Sequence, residues 1–390
     1  YNVCIFVGRD FMFFDKKKTY KRIDYFLILV VLALLAFGLI MVNSTTMSYG
    51  AAKHSSYMRS QGLSTILGLI VMSILVITPP DLIKKLAWPI YIVCVGVLLA
   101  TMLFGITYSG SRSWLGTNSF KFQPSEFVKV GLIVSLAAFM DKNKEKLNEP
   151  FTLLKLLVLA FIPVAFILKQ PDFGTAVVFM GIIAVMFFIG GIHWKYILIA
   201  IGSVLVYLPV HWFNMDEYAR ERIFDFLEPE RDTLGTGMQA YIGKISLSSG
   251  KFRGRGLYNG VQNQGNFLML KHSDFIFPMI GEELGFLGGA LLLVLYFLLL
   301  TRILHISKQS DYFAKVLSIG VFTMFLIHIW ENIAMTMGLM PVTGIPLPLI
   351  SSGGTFQIAN LISIGLILGI KYHEGANSLS TGEKIDSLLT

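Results

Sequence analysis

Uncharged apolar runs long enough to cross a bilayer divide this chain, and few architectures can accommodate them. A hydrocarbon core of about 30 Å needs roughly 20 apolar residues per helix. Runs of that kind begin near Tyr25, Gly62, Leu86, Pro124, Leu153, Phe173, Tyr196, Phe275, Tyr312 and Leu349. Each must satisfy its backbone polar groups within the membrane, which favours helices. The expected fold is an all-α polytopic membrane protein of about ten transmembrane helices. One long extracytoplasmic loop, 214–274, lies between the seventh and eighth. Only 14% of residues are charged, against about 25% in an average soluble chain. A soluble multidomain protein and a disordered chain are excluded. Two cysteines, Cys4 and Cys94, make no disulfide framework.

The net charge of +8 reads as Lys and Arg held in cytoplasmic loops, not as a nucleic-acid signal. With the N-terminus inside, the short cytoplasmic segments carry Lys16, Lys17, Lys18, Lys21, Arg22, Lys84, Lys85, Lys142, Lys144, Lys146, Lys195, Arg302 and Lys308. The short outer loops carry Lys53, Arg59, Arg112, Lys121 and Lys169. The expected organisation is a cytoplasmic segment (1–23), a transmembrane domain (24–372) and a short cytoplasmic tail (373–390). Residues 1–11 precede Met12-Phe-Phe-Asp-Lys-Lys-Lys, which looks like a natural start, and are set aside. The Tyr25–Val42 run is too long for the apolar core of a cleavable signal peptide.

Ionisable residues inside spans are costly and are functional candidates by default. Glu126 and Lys129 stand three apart near the start of the fourth span, so they share a helix face and can pair. They are either a structural ion pair or the lining of a polar cavity, where Lys129 and the helix start after Pro124 and Ser125 hold an anion. Trp114 is either an interfacial anchor or, with Arg112 two residues away, a surface for a sugar and its phosphate. Asp172, in Lys169-Gln-Pro-Asp172, reads as a helix cap.

The long loop holds eight glycines between 235 and 265, interleaved with apolar residues from Tyr241 to Phe267. A flexible linker does not carry such an apolar set, so an ordered lid of short pieces and tight turns is expected. It ends at His272-Ser-Asp274, which delivers a carboxylate to the mouth of the eighth span. Asp274 is a general base, a metal ligand or a simple helix cap; composition leaves all three open. Gly281, Gly285 and Gly289 beside Glu282 and Glu283 point to close helix packing. Pro341, Pro346, Pro348 and Gly344 break the last apolar run, which requires protein or a wet cavity around the broken backbone.

Several of these segments together resemble the SEDS proteins (shape, elongation, division and sporulation). They are Gly110-Ser-Arg-Ser-Trp-Leu, Phe122-Gln-Pro-Ser-Glu-Phe-Val-Lys129, Gln170-Pro-Asp-Phe-Gly-Thr175, His272-Ser-Asp-Phe-Ile-Phe277, Gly281-Glu-Glu-Leu-Gly285 and Thr343-Gly-Ile-Pro-Leu-Pro348. The last of these is similar to the RodA-like elongation branch, and the likeness spans roughly residues 20–372. Three positions depart from the family pattern. Leu268-Met-Leu270 stands where the family has Leu-Pro-Glu, Ser352 replaces a tyrosine, and Pro278 replaces a small residue.

The resemblance implies a peptidoglycan glycosyltransferase that polymerises lipid II at the outer face of a bacterial plasma membrane, in partnership with a class B penicillin-binding protein. It implies Asp274 as the catalytic residue and a candidate ligand for Mg²⁺ or Mn²⁺, with no organic cofactor. The implied substrate-binding set is Arg112, Trp114, Gln123, Ser125, Glu126, Lys129, His272 and Ser273. Membrane lipids are the other expected contacts, and nucleic acid is not one. A lipid II flippase and a non-catalytic scaffold are the alternatives: the first needs a cavity reaching the inner leaflet, and the second makes Asp274 dispensable. The orientation is tested by a cysteine at Asn259 with Cys4 and Cys94 removed. It is expected to react with an impermeant thiol reagent in intact protoplasts, and protection until lysis would invert the topology.

Overall fold

The computed structural model of the chain describes residues 23–108, 111–116, 121–196 and 236–389, with isolated positions between 198 and 226. The expected seventh span beyond Tyr196, the charged Asp216–Asp232 segment, the N-terminal lysines and Gly110 lie outside the described residues. The helices are α1 (Tyr25–Met47), α2 (Ala51–Ile77), α3 (Pro80–Phe104), α4 (Pro124–Lys142), α5 (Pro150–Lys169), α6 (Phe173–Ile189), α7 (Thr236–Ser249), α8 (Val261–Gln264), α9 (Ile276–Gln309), α10 (Tyr312–Thr336) and α11 (Gly354–Leu389). Seven of them, α1, α2, α3, α5, α9, α10 and the Gly354–Glu374 part of α11, are long and apolar enough to cross a membrane. The other two expected spans in this set are special cases. α4 carries Glu126, Lys129, Asp141 and Lys142 within nineteen residues, and α6 has only seventeen.

The polarity of the bundle is inverted relative to a soluble protein. Leu29, Leu32, Phe286, Leu291, Val294 and Phe297 are exposed, whereas Gln61, Glu126, Lys129, Glu282, Glu283, His328, Glu331 and Asn332 are buried. Exposed apolar surface on this scale is a membrane-facing surface. α4 lies at the centre, buried along most of its length and packed against α3, α10 and α11.

One correction concerns the all-α expectation. The connection from α3 to α4 folds as a small antiparallel sheet of β1 (Ile106–Tyr108), β2 (Ser111–Gly116) and β3 (Lys121–Phe122). Trp114 opposes Ile106, and Leu115 opposes Phe122. The β-branched and aromatic residues in this short stretch suit a pleated, half-buried surface.

Two ends of the bundle are defined by contacts between helix termini. Asp24, which caps α1 by accepting from the Leu27 N–H, pairs with Arg302 near the end of α9 at 2.7 Å. The Tyr312 hydroxyl at the start of α10 donates to the Gly190 carbonyl after α6 at 2.6 Å, and Lys84 of α3 pairs with Asp141 of α4. These contacts mark a basic end. The sheet, α8 and the 339–353 loop lie at the other.

The lid expectation applies to residues 236–274, where α7 and α8 are joined by tight turns against α9. α9 is interrupted at Gly285 (φ 66°, ψ −161°), a conformation essentially restricted to glycine. The break frees backbone groups that the lid then satisfies. Arg255 and Gly256 N–H donate to the Glu282 and Glu283 carbonyls at 2.9 and 3.0 Å, and Phe286 and Leu287 N–H donate to the Lys251 and Phe252 carbonyls at 2.9 and 3.2 Å. The close packing expected of the glycines is therefore helix against lid. Gly281 abuts Leu247, and Gly285 abuts the Arg253–Gly254 backbone. A Cβ at Gly289 would meet nothing within 4 Å.

Gly285→Ala is expected to destabilise the junction by more than the about 1–2 kcal/mol of a left-handed non-glycine residue, because the added Cβ collides with lid backbone. Limited proteolysis should then cut within 250–265, while Gly289→Ala remains resistant.

Candidate functional site

Asp274 is carried by the last turn of the lid, and three neighbouring carbonyls fix its backbone. Ser352 N–H donates to the His272 carbonyl at 2.9 Å, the Ser351 hydroxyl to that of Ser273 at 2.6 Å, and the Asn332 amide to that of Asp274 at 2.8 Å. Asn332 Nδ2 also donates to the Ile345 carbonyl at 2.7 Å. The N-cap of α9 is Phe275, with no side-chain capping bond. Asp274 is thus not the helix cap, and its carboxylate is left for another task.

That carboxylate is half-buried and faces the 343–348 loop. Gly344, at φ +77°, presents a bare Cα, and a Cβ there would stand 3.5 Å from Asp274 Oδ2. Burial pushes the Asp274 carboxyl from 3.8 up to about 7, with the Ser273 hydroxyl opposing the shift. An acid–base group near the operating pH is what proton transfer needs.

The neighbours of Asp274 in sequence serve other ends. His272 lies against the rings of Tyr57 and Tyr49 at 4.5 and 5.6 Å, with Nδ1 3.1 Å from the Tyr49 hydroxyl. Burial, aided by Lys271, lowers it to about 4, so the ring is neutral at pH 7. Lys271 turns into the lid, donating to Ser48 Oγ, the Asn263 carbonyl and Asn266 Oδ1. Burial lowers it to about 8, opposed by Glu283 and Glu282. Those two glutamates, which sequence reasoning left without partners, are anchors. Glu282 accepts from the Gln262 and Asn263 N–H groups at 2.8 and 3.0 Å. Glu283 accepts from Ser44 Oγ at 2.6 Å and Asn263 Nδ2 at 2.7 Å.

Deeper in the bundle, Glu126 and Lys129 do pair, at 2.8 Å and almost fully buried. Lys129 Nζ also lies 2.8 Å from His328 Nε2, and His328 Nδ1 lies 2.7 Å from the Met324 carbonyl. A carbonyl can only accept, so Nδ1 carries the proton and Nε2 accepts from the lysine. One turn on, Glu331 is fully buried, with the Thr343 hydroxyl beside its carboxylate. Ser125 Oγ and Asn332 Oδ1 are buried with no hydrogen-bond partner among the described residues. Sequence reasoning missed His328, Glu331 and Asn332 because they interrupt an otherwise apolar span. The signal was there: a histidine and a glutamate three apart inside a membrane helix.

The sheet residues flank this site. Arg112 is exposed, and its guanidinium donates to the Gly105 and Leu103 carbonyls at 2.8 and 2.9 Å, closing the end of α3. Trp114 is half-buried in β2. Gln123 precedes α4 without a side-chain cap. Asp172 caps α6 through the Thr175 N–H at 3.1 Å, as expected. Gly174 lies against Thr343 and Ile345, so the Gln170–Thr175 segment braces the loop that faces Asp274.

Among the described residues, no cluster of three or more His, Cys, Asp or Glu side chains is arranged to hold a metal ion. Asp274 offers a cation a single carboxylate, so a Mg²⁺ held there would keep most of its water ligands.

The family model FTSW_RODA_SPOVE, described as cell cycle protein, matches residues 25–376. The chain belongs to this family. It is 33% identical to the peptidoglycan glycosyltransferase MrdB of Escherichia coli (strain K12), over 92% of this chain and 96% of the relative. It is 32% identical to the probable peptidoglycan glycosyltransferase FtsW of Geobacter metallireducens, over 90% and 96%. A solved structure described as the structural coordination of polymerization and crosslinking by a peptidoglycan synthase complex matches with a TM-score of 0.77 at 28% identity, covering 90% of this chain and 97% of that one. The rod shape determining protein RodA of Thermus thermophilus shares the fold, with a TM-score of 0.67 at 24% identity over 90% and 96%.

Removing one member of a buried ion pair typically costs about 3–5 kcal/mol. Lys129→Met is therefore expected to lower the thermal midpoint in detergent markedly, and the double variant Glu126→Gln/Lys129→Met to recover much of the loss. Equal melting of wild type and Lys129→Met would show that the pair contributes little to folding.

Proposed function

We propose that the chain is a peptidoglycan glycosyltransferase of cell-wall elongation and shape maintenance, polymerising lipid II into glycan strands with Asp274 as its general base. The observation that carries the role of Asp274 is its placement. The carboxylate is not used as a helix cap, it is held between lid and loop, and burial sets it near neutral pH. In the reaction, Asp274 takes the proton of the acceptor sugar 4-hydroxyl. That oxygen attacks the anomeric carbon of the growing strand's terminal sugar, and undecaprenyl diphosphate leaves. The leaving group develops negative charge, and preorganised cations lower the cost of that charge in a water-poor site. Lys129 supplies positive potential from α4, with Glu126 and His328 fixing its position. In the alternative form of this reading, Asp274 would instead position the acceptor hydroxyl through a Mg²⁺ or Mn²⁺ ion, which would also offset the charge of the diphosphate. Trp114 offers a face for a sugar ring.

The active site is read as outward-facing, on the extracytoplasmic side. Support comes from the charge of the opposite end, where Lys84, Lys85, Lys142, Lys155 and Arg302 gather at the ends of α3, α4, α5 and α9. Ten spans is the reading that the helix ends support. α6 finishes at the basic end beside Tyr312, and α9 starts at the other, so the chain crosses an odd number of times between them. In sequence, the apolar stretch 196–215 is long enough for one such crossing. A crosslinking class B penicillin-binding protein is the proposed partner, in keeping with the synthase complex that the fold resembles.

Asp274→Asn keeps the size of the side chain and removes the base. Strand synthesis from lipid II, by protein co-purified with the crosslinking partner and assayed with and without Mg²⁺ or Mn²⁺, is expected to fall about 10²-fold or more. The same change has a stability signature. Burial favours the protonated carboxyl, so this group's contribution to folding is full below its unfolded value of 3.8 and is lost as pH rises through about 7. The variant should therefore melt above wild type, with a gap that widens from pH 5 to pH 8. Vigorous strand synthesis by a folded Asp274→Asn protein would remove Asp274 from the mechanism.

A further inference from the structure

At the basic end, on the opposite side of the bundle from Asp274, a cavity of about 1190 Å³ opens between the start of α3, the end of α4 and the start of α5. Its rim carries Lys84, Lys85, Lys142 and Lys155 with Asp81, and Trp88 stands at its edge. Its wall is apolar, formed by Leu154, Val158, Leu159 and Ile162 of α5. A membrane protein gathers lysines at its cytoplasmic loops in any case, but Lys144 and Lys146 on the neighbouring loop do not line this cavity, whereas these four do.

The charge balance is uneven. Lys84 is neutralised by Asp141, and Asp81 offsets one more cation. Lys85, Lys142 and Lys155 are exposed and leave the rim with a net positive charge. The Lys155 ammonium lies over the Phe151 ring, 4.0 Å from its centroid, which keeps it near the rim. Ile162 lies twelve residues along α5 from its first residue, about 18 Å at 1.5 Å per residue. Trp88, Leu154, Val158 and Ile162 are substantially exposed and face the space that lipid occupies. A cationic rim above a long apolar wall, open to the bilayer, is complementary to one kind of molecule.

We infer that this groove is a binding site for a diacyl anionic phospholipid, its phosphate held by Lys85, Lys142 and Lys155 and one acyl chain lying along α5. Basic pockets between membrane helices on the cytoplasmic side suit such headgroups. The site does not depend on the glycosyltransferase reading. An inverted topology would change the leaflet that supplies the lipid, not the groove.

The full chain is reconstituted in vesicles of phosphatidylcholine with phosphatidylglycerol, either lipid carrying brominated acyl chains. Quenching of Trp88 is isolated by comparison with Trp88→Phe. Brominated phosphatidylglycerol is expected to quench Trp88 with a preference of about tenfold or more over brominated phosphatidylcholine. In Lys85→Gln/Lys142→Gln/Lys155→Gln the preference should fall to near unity. The control Lys144→Gln/Lys146→Gln/Lys308→Gln removes the same charge outside the groove and should retain it. No preference in wild type, or equal loss in both triple variants, would overturn the site in favour of none or of diffuse surface attraction. Displacement of the lipid by inorganic phosphate alone would assign the lysines to a free anion instead. Monodisperse elution and an unchanged melting temperature check folding, and Lys155→Gln alone gives a partial loss if the triple variant is unstable.

Discussion

A helix broken near the membrane surface must find partners for the backbone groups it releases, and the break in α9 at Gly285 organises much of this protein. The carbonyls of Glu282 and Glu283 and the N–H groups of Phe286 and Leu287 are all met by residues 251–256. Unsatisfied groups of this kind cost several kcal/mol in hydrocarbon, so lid and helix are expected to order together. The adjacent side chains extend the join. Glu282 holds the first turn of α8, and Glu283 links Ser44 of α1 to Asn263. Lys271 ties the end of the lid back to Ser48. The outcome is that residues 251–274 are held against α9 and α1, and Asp274 is the last-turn residue of the lid.

The second dependence runs through α10. His328, Glu331 and Asn332 occupy little more than one helical turn, and each addresses a different part of the site. His328 accepts from Lys129, Glu331 lies close enough to Lys129 and Asp172 for their charges to act on it, and Asn332 bridges the Asp274 and Ile345 carbonyls. A shift of this turn would therefore move the buried cation and the candidate base together. Two groups on separate segments are held in one frame by a helix that carries neither of them. This is the rigidity that a site acting on a large, flexible substrate requires, because misplacement by about 1 Å can cost orders of magnitude in rate.

What was legible in the sequence depended on whether a residue's partner was implied by its own surroundings. Glu126 and Lys129 sit three apart on one helix, so their pairing followed from spacing alone. Asp172 precedes a helix start and caps it. The lid could be recognised as ordered because Tyr241, Ile242 and Leu247 do not belong in a linker. By contrast, the partners of Lys129 and Asp274 on α10 lie far away in sequence, and no local periodicity names them. Glu282 and Glu283 looked like intruders in a span because the segment that receives them is twenty residues upstream. The sheet escaped notice since three short strands give too few residues for an alternating pattern to stand out.

Arg112 and Lys271 are cations whose described contacts are local. Both stand beside residues of chemical interest, and both spend their donors on backbone or lid oxygens. Lys129, by contrast, is buried between the Glu126 carboxylate and a neutral histidine, with no contact to backbone or lid oxygens among those described. Glu331 is buried nearby, beside the Thr343 hydroxyl, and when ionised it attracts Lys129 through a medium of low dielectric. Bringing an anionic group between them would strengthen its attraction to Lys129 and raise its repulsion from Glu331. The balance is therefore sensitive to the protonation of Glu331. On the proposed reading, Glu331 is the buried charge nearest in role to Glu126 in determining how Lys129 would act on a diphosphate.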